Sequence, residues 1–175
     1  KDNLFIRYFE WQEMRCYKSA KKIVVVTDSF KKTLVERGVD GDKIAVVKNG
    51  VDRVLFAPQP KDLTLMEEMG LKGKKIIGYI GTHGMAHKLD FILQCAKNLQ
   101  DKNYHFLFLG SGAERDNLLK LKEELQLNNV TMLDSVPKTE VSRYISIQDL
   151  SLINLRKSEL FKTVIPSKIF ENAPL

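Results

Sequence analysis

Three short segments carry the residue types that hold an anion without a metal. Gly81-Thr82-His83-Gly84-Met85-Ala86-His87-Lys88 combines two glycines with His83, His87 and Lys88 as donors or charge. The glycines let a ligand approach the backbone closely. Where such a stretch leads from a strand into a helix, the free N–H groups of the helix start add to it, and the chemistry is that of phosphate binding. Gly110-Ser111-Gly112-Ala113-Glu114-Arg115 repeats the glycine spacing. As a dinucleotide fingerprint it ends at Gly-x-Gly, because Arg115 stands where a third glycine would pack helix on strand. It reads better as a turn that admits a ligand or a neighbouring lobe to the backbone. Pro166-Ser167-Lys168 sets a proline near a helix start, a hydroxyl able to cap it and an ammonium in the first turn. A lysine there opposes the helix dipole, which favours a ligand phosphate beside it; the plain alternative is a solvated lysine next to an ordinary cap. Glu171 follows at i+4 from Ser167 and i+3 from Lys168, suited to bonding ligand hydroxyls or to pairing with Lys168. His83 and His87 have the i, i+4 spacing of a helical metal pair. No HExxH pattern, no third ligand and no Asp-x-Asp pair placed for a divalent ion accompanies them, so no metal site is expected.

Positioning these segments requires strands that end just before them. Six short apolar runs have that character: Ile23–Thr27, Ile44–Val47, Ile76–Ile80, Tyr104–Leu109, Val130–Leu133 and Leu150–Leu155. Continuous apolarity predicts strands covered on both faces. Helix-periodic segments separate the last four: Leu89–Leu99, Glu114–Leu127 and Thr139–Ile147, the last with Val141, Tyr144 and Ile145 on one face. Alternation at this spacing predicts right-handed βαβ units, hence an α/β, Rossmann-like parallel sheet with helices on both faces. In such a sheet ligands gather beyond the carboxyl ends of the strands, where the glycine segments and Asp134-Ser135-Val136-Pro137-Lys138 fall. The first 60 residues read differently. Lys1–Lys22 is helical and feeds one strand, Lys31–Gly38 is a second short helix, and turn formers from Asn49 to Pro58 and Pro60 make a linker. The expected organisation is 1–48 as the end of one lobe and the junction, 49–60 as linker and 61–175 as a ligand-binding lobe. A start without Met inside a helix-like stretch, and a stop at Pro174-Leu175 just after an apolar periodic segment, are expected of a fragment.

Composition narrows the partners. The chain has 175 residues, 43% hydrophobic and 29% charged, enough for a core without a metal or disulfide staple. Cys16 and Cys95 are too few and too far apart for a disulfide framework or a CxxC site, which suits a reducing cytoplasm. The net charge of +6 is modest, with 12 basic and 8 acidic residues in the first 60. That fits an anionic ligand or an acidic membrane surface rather than nucleic acid, whose binders cluster Lys and Arg more densely. No run approaches the roughly 20 apolar residues of a membrane span, and no signal peptide opens the chain.

With these residues in hand, the chain resembles the retaining, nucleotide-sugar-dependent glycosyltransferases of family four, whose GT-B fold faces two Rossmann-like lobes. The resemblance runs through Ile23-Val-Val-Val-Thr-Asp-Ser-Phe30, then Ile44-Ala-Val-Val-Lys-Asn-Gly-Val-Asp52 with Phe56, then Ile77-Gly-Tyr-Ile-Gly-Thr-His-Gly84, Phe108-Leu-Gly-Ser-Gly-Ala-Glu-Arg115 and Val164-Ile-Pro-Ser-Lys-Ile-Phe-Glu171. The last segment is similar to the subgroup that builds bacterial surface polysaccharides from UDP-activated amino sugars. The resemblance implies one donor-binding GT-B lobe, with Glu171 as the second Glu of the family's Glu-x7-Glu motif, on the ribose. Thr163 stands at the first Glu position. The family's Arg and Lys phosphate ligands fall on Thr82 and His87, leaving Lys88 and Lys168 to supply charge.

The resulting expectation is a UDP-sugar donor held by Gly81, Thr82, His83, Gly84, His87, Lys88, Gly110, Ser111, Gly112, Val136, Pro137, Ser167, Lys168 and Glu171, with no metal and no other cofactor. Catalytic groups are not identified in this stretch. The implied reaction is transfer of an N-acetylated amino sugar, with retention, to a polysaccharide or lipid-linked acceptor held by the other lobe, in the cytoplasm and at the inner face of the plasma membrane. The fragment alone is expected to bind donor without turnover. Phe5, Ile6, Phe9 and Trp11 beside Arg7, Arg15, Lys18, Lys21 and Lys22 suggest contact with an anionic membrane, or packing on the other lobe. The alternatives are a GT-B-fold UDP-sugar 2-epimerase, a Rossmann-like NAD-binding domain, and an interaction domain of the same fold without activity.

Overall fold

The computed structural model describes residues 3–158, 161 and 164–172. Two compact units divide the chain: 1–50 with 159–165, and 51–158 with 166–175.

The first unit is built on two parallel strands, β1 (Ile23–Val25) and β2 (Ile44–Val46), with Ile23 opposite Ile44. Helix α1 (Leu4–Ser19) begins at Asn3, whose side chain accepts from Phe5 N, and α2 (Asp28–Glu36) begins at Thr27, whose hydroxyl accepts from Phe30 N. Each cap satisfies an N–H that the helix start leaves unpaired. Val25, Leu34, Val39 and Ile44 form the core, with Met14 and Tyr17 of α1 packed on it. Both strands are shorter than their apolar runs, and coverage on both faces does not extend to them. Val24 is 65% exposed, because among the described residues only one side of this pair is packed.

The second unit is a four-stranded parallel sheet in the order β5-β4-β3-β6, from β3 (Lys75–Ile80), β4 (Tyr104–Leu109), β5 (Val130–Leu133) and β6 (Leu150–Ser151). Alternation along β4 sends side chains to opposite faces. Phe106 and Phe108 join Tyr79, Leu89, Leu93 and Leu118 under α4 (Leu89–Lys97) and α5 (Arg115–Glu124). Leu107 and Ile76 meet Leu65, Met66 and Ile147 on the other face, where α3 (Leu63–Glu68) lies and Tyr144 of α6 (Lys138–Ser146) packs. The fold is therefore α/β, with helices on both faces of a parallel sheet. Each large side chain fully buried in this way contributes roughly 1.5–3 kcal/mol.

In this unit three elements depart most from the sequence reading. Helix α3 has no counterpart among the helix-periodic segments of the sequence. Strand β6 pairs only over Ile77–Leu150 and Gly78–Ser151, as an edge strand, with one further bond from Leu152 N to Gly78 O. The last helix, α7 (Lys168–Asn172), is little more than one turn, so the dipole expected at its start is correspondingly small. The successive crossovers from β3 to β4 to β5 step away in one direction, and β6 returns to the far side of β3. The switch point of the sheet thus lies between β3 and β6, and the crevice beyond their carboxyl ends is where such folds bind ligands.

Candidate functional site

The loop after β3 is held by the loop after β4. Gly81 N donates to Leu109 O, His83 N to Ser111 O, and Glu114 N to His83 O, at 2.8, 2.8 and 2.9 Å. This approach explains both glycines of the second loop. A Cβ on Gly110 would run into the Gly81 carbonyl, and one on Gly112 would lie 2.5 Å from His83 O; both residues have φ in the region that favours glycine, +146° and +154°. The backbone they admit is that of the neighbouring loop. Arg115, in the third-glycine position, folds back to donate to Gly110 O and Leu133 O and pairs with Asp134 at 2.9 Å. It closes the ends of β4 and β5, which accounts for the broken fingerprint.

A cleft of about 240 Å³ opens between these loops, lined by Ile80, Gly81, Thr82, Leu109, Gly110, Ser111, Ser135, Val136 and Val141. Its walls are mainly apolar, with backbone and hydroxyl groups at the rim, a composition suited to a flat ring. At its Gly81 edge lies Lys168. The ammonium donates to Tyr79 Oη at 2.7 Å and sits 3.9 Å from the centre of that ring. A Cβ on Gly81 would be 2.5 Å from Lys168 Cε, so the lysine lies flat on the glycine backbone. Helix α7 is moored to the sheet by Asn172, whose Oδ1 accepts from Ser151 Oγ and whose Nδ2 donates to Lys168 O, both at 2.7 Å.

Beneath the loop the environment is basic and poorly solvated. His83 is 0% exposed and neither ring nitrogen has a hydrogen-bond partner. Burial, with the charges of Arg115 and Lys168, pushes its pKa down to about 4. His87 donates from Nδ1 to Asn154 O at 3.3 Å, and burial with the Lys168 charge lowers its pKa as well. The Asn154 side chain donates back to His87 O. Burial lowers Lys168 to about 8, Glu171 opposing, and raises the Tyr79 phenol.

The predicted residues therefore separate into groups. Gly81, Thr82, Gly110, Ser111 and Val136 share the cleft, and Lys168 adjoins it through Gly81. Pro137 is the residue from which α6 starts. Ser167 is exposed, its carbonyl accepting from Phe170 N and Glu171 N. Glu171 lies on α7 but does not pair with Lys168, whose ammonium goes to the phenol. His83 lies buried behind the loop and outside the lining of this cleft, and the space beside Gly112 is taken by His83 backbone. Lys88 has left-handed backbone, pairs with Asp90 at 3.1 Å and borders, with Gly84, a separate hollow. The i, i+4 histidines are not on one helix, since His87 ends a 3-10 turn that His83 precedes. Among the described residues no group of three or more His, Cys, Asp or Glu side chains is placed to hold a metal ion. Thr163 lies outside the described residues.

The sequence does not single out Tyr79 or Val141 as site residues, whereas Ser135 falls in the Asp134–Lys138 segment expected beside the ligand. Tyr79 was visible only as a member of an apolar run; a phenol two residues before the loop glycine, on a strand buried on both faces, was the available signal, because a buried hydroxyl needs partners.

The sequence pattern described as Glycosyl transferases group 1 matches residues 63–165, and that of Glycosyltransferase Family 4 matches residues 1–55. No curated protein matches the chain. Among solved structures the fold is similar to WaaG, a glycosyltransferase involved in lipopolysaccharide biosynthesis, at 14% identity and TM-score 0.68, over 86% of this chain and 44% of that one. Anabaena HepE in complex with UDP and glucose is similar at 19% identity and TM-score 0.63, over 75% and 37%. A glycosyltransferase from Rickettsia africae ESF-5 is similar at 21% and 0.60, over 86% and 41%. The chain thus spans less than half the length of these proteins.

Proposed function

Because this chain belongs to the group 1 glycosyltransferases, we propose that it is the donor-binding part of a family-four retaining glycosyltransferase that takes its sugar from a UDP-activated donor. The observation that carries this reading is the cleft at the ends of β3, β4 and β5, with an ammonium at its glycine edge that no carboxylate pairs with among the described residues. The uracil ring lies against Val136, Pro137 and Val141. The diphosphate lies along the Gly81 and Thr82 backbone within reach of Lys168, and Glu171 binds ribose hydroxyls. As the sugar-phosphate bond breaks, the electron pair leaves with the diphosphate, and fixed N–H groups and the ammonium stabilise that charge without reorganising. The acceptor hydroxyl, brought by groups outside this chain, forms the new bond on the same face of the sugar as its proton passes to an oxygen of the departing diphosphate. The donor sugar is an N-acetylated amino sugar and the acceptor a surface polysaccharide or its lipid-linked precursor. Residues 1–48 end the acceptor lobe, 49–60 link, and 61–175 form the donor lobe, so the isolated chain binds nucleotide and does not turn over.

Thermal unfolding with UDP, UDP-N-acetylglucosamine, GDP and NAD tests this reading. A ligand at 100 times its dissociation constant stabilises by about 2.7 kcal/mol. The uridine nucleotides should therefore raise the midpoint by several degrees, and GDP and NAD by less. A larger shift with NAD overturns it.

The same enzyme works at the inner face of the plasma membrane. No described helix is long and apolar enough to cross a membrane. In α1, Leu4, Phe5, Ile6, Tyr8, Phe9 and Trp11 are all exposed, with Arg15 stacked on Trp11 at 4.7 Å. Leu4, Tyr8, Trp11 and Arg15 follow the i, i+4, i+7, i+11 line of one face, away from Met14 and Tyr17, which pack on the core. The bordering charges Arg7 and Lys18 are cations, whereas Glu13 is turned to Arg37. Apolar rings edged by cations suit an anionic lipid surface. The chain should co-sediment with vesicles containing phosphatidylglycerol and not with phosphatidylcholine alone; equal binding to both, or undiminished binding after Tyr8→Ser with Trp11→Ser, contradicts it.

A further inference from the structure

We propose that Tyr79 is the positioning residue of this site, its phenol holding the Lys168 ammonium over the Gly81 backbone at the cleft edge and tying that cation to the glycine loop. The proposal rests on the nucleotide reading above and gives the cation a fixed place within it.

Tyr79 is itself immobilised. It is fully buried in the central strand β3, with Phe108, His83 and His87 around its ring at centroid distances of 6.3, 6.0 and 5.7 Å. Its hydroxyl is used twice: it donates to Thr82 O at 2.7 Å and accepts from Lys168 Nζ at 2.7 Å. One oxygen therefore links the strand, the loop and α7. The ammonium also lies on the ring face, where the aromatic quadrupole attracts a cation. A neutral partner fixes the lysine without neutralising it. A carboxylate in the same place would compete with an incoming phosphate, whereas the phenol leaves the full positive charge for it, and charge-assisted hydrogen bonds are the strong ones. Gly81 completes the device, because a side chain there would displace the lysine stem.

Two measurements test this, one without ligand. The ε-protons of Lys168, observed by NMR with 13C-labelled lysine, should be shifted upfield by the Tyr79 ring in the wild type and return to ordinary lysine values in Tyr79→Phe, which keeps the ring but releases the ammonium. An unshifted wild-type resonance, or an unchanged one in the variant, overturns the proposal. In the second measurement Tyr79→Phe should weaken UDP binding about tenfold in the wild-type background and have no further effect in Lys168→Met, since groups acting as one unit are not additive. An equal loss in both backgrounds means that the phenol acts on the loop alone and also overturns the proposal. If UDP does not bind the wild type, the nucleotide reading fails, and the NMR result still decides whether Tyr79 positions the lysine.

Discussion

A buried imidazole with no hydrogen bond on either nitrogen is costly to protonate. His83 is such a group, held near pKa 4 by burial and by the cations beside it, whereas in the unfolded chain it titrates near its ordinary value. The unfolded state therefore binds the proton first as pH falls, and native stability is lost from about pH 6.5 down to about pH 4. Linkage puts the loss between pH 7 and pH 5 at about 2 kcal/mol. Urea unfolding at the two values should show a pH-dependent loss smaller by about this amount in His83→Leu than in the wild type; the contributions of His87 and His105, whose pKa values burial also lowers, are common to both. An equal pH dependence in both would place the sensitivity elsewhere. Gly112 gives a second prediction at this scale. An alanine there meets the His83 backbone and an unfavourable φ together, and about 2–3 kcal/mol of stability should be lost. A thermal midpoint within a degree of wild type contradicts it.

Helix α7 is too short to hold itself, since isolated helices of one or two turns do not form in water. It depends on its ties to the sheet, Ser151 with Asn172 and Tyr79 with Lys168. Asn172→Ala should therefore cost only about 1 kcal/mol in urea unfolding while weakening UDP binding several-fold in calorimetry; unchanged affinity would mean that the helix is positioned by something else. The elements were legible in the sequence wherever a pattern was long. Strands β4 and β5 match their apolar runs to the residue, and α4 and α6 end within two residues of theirs. Helix α3 escaped because six residues after a proline-rich stretch give no periodic window. Asp62, whose side chain accepts from Leu65 N at 2.8 Å, was the capping signal that marked it. The run Leu150–Leu155 reads as a full strand because apolarity does not distinguish a laddered strand from an extended edge. At the site, the glycine loops and Lys168 were legible from their residue types. The burial of His83 and the turning of Lys88 to Asp90 were not, because they depend on how two loops pack together.

For the molecule as a whole, one sheet with its switch point between β3 and β6 brings the glycine loop and α7 to the same rim. The loops after β4 and β5 supply the rest of the cleft wall. Sequence distance of nearly 90 residues between Tyr79 and Lys168 is thereby closed to one hydrogen bond. The fold accounts for the approach of loop to loop, and the ammonium, which no carboxylate pairs with among the described residues, is the group proposed to receive the diphosphate. Isothermal titration of UDP into this chain tests the conjunction most directly. A single site per chain is expected, weakened at least tenfold, about 1.4 kcal/mol, by Lys168→Met and measurably by Glu171→Ala. Absence of binding to the wild-type chain, or affinity unchanged by both substitutions, would contradict it.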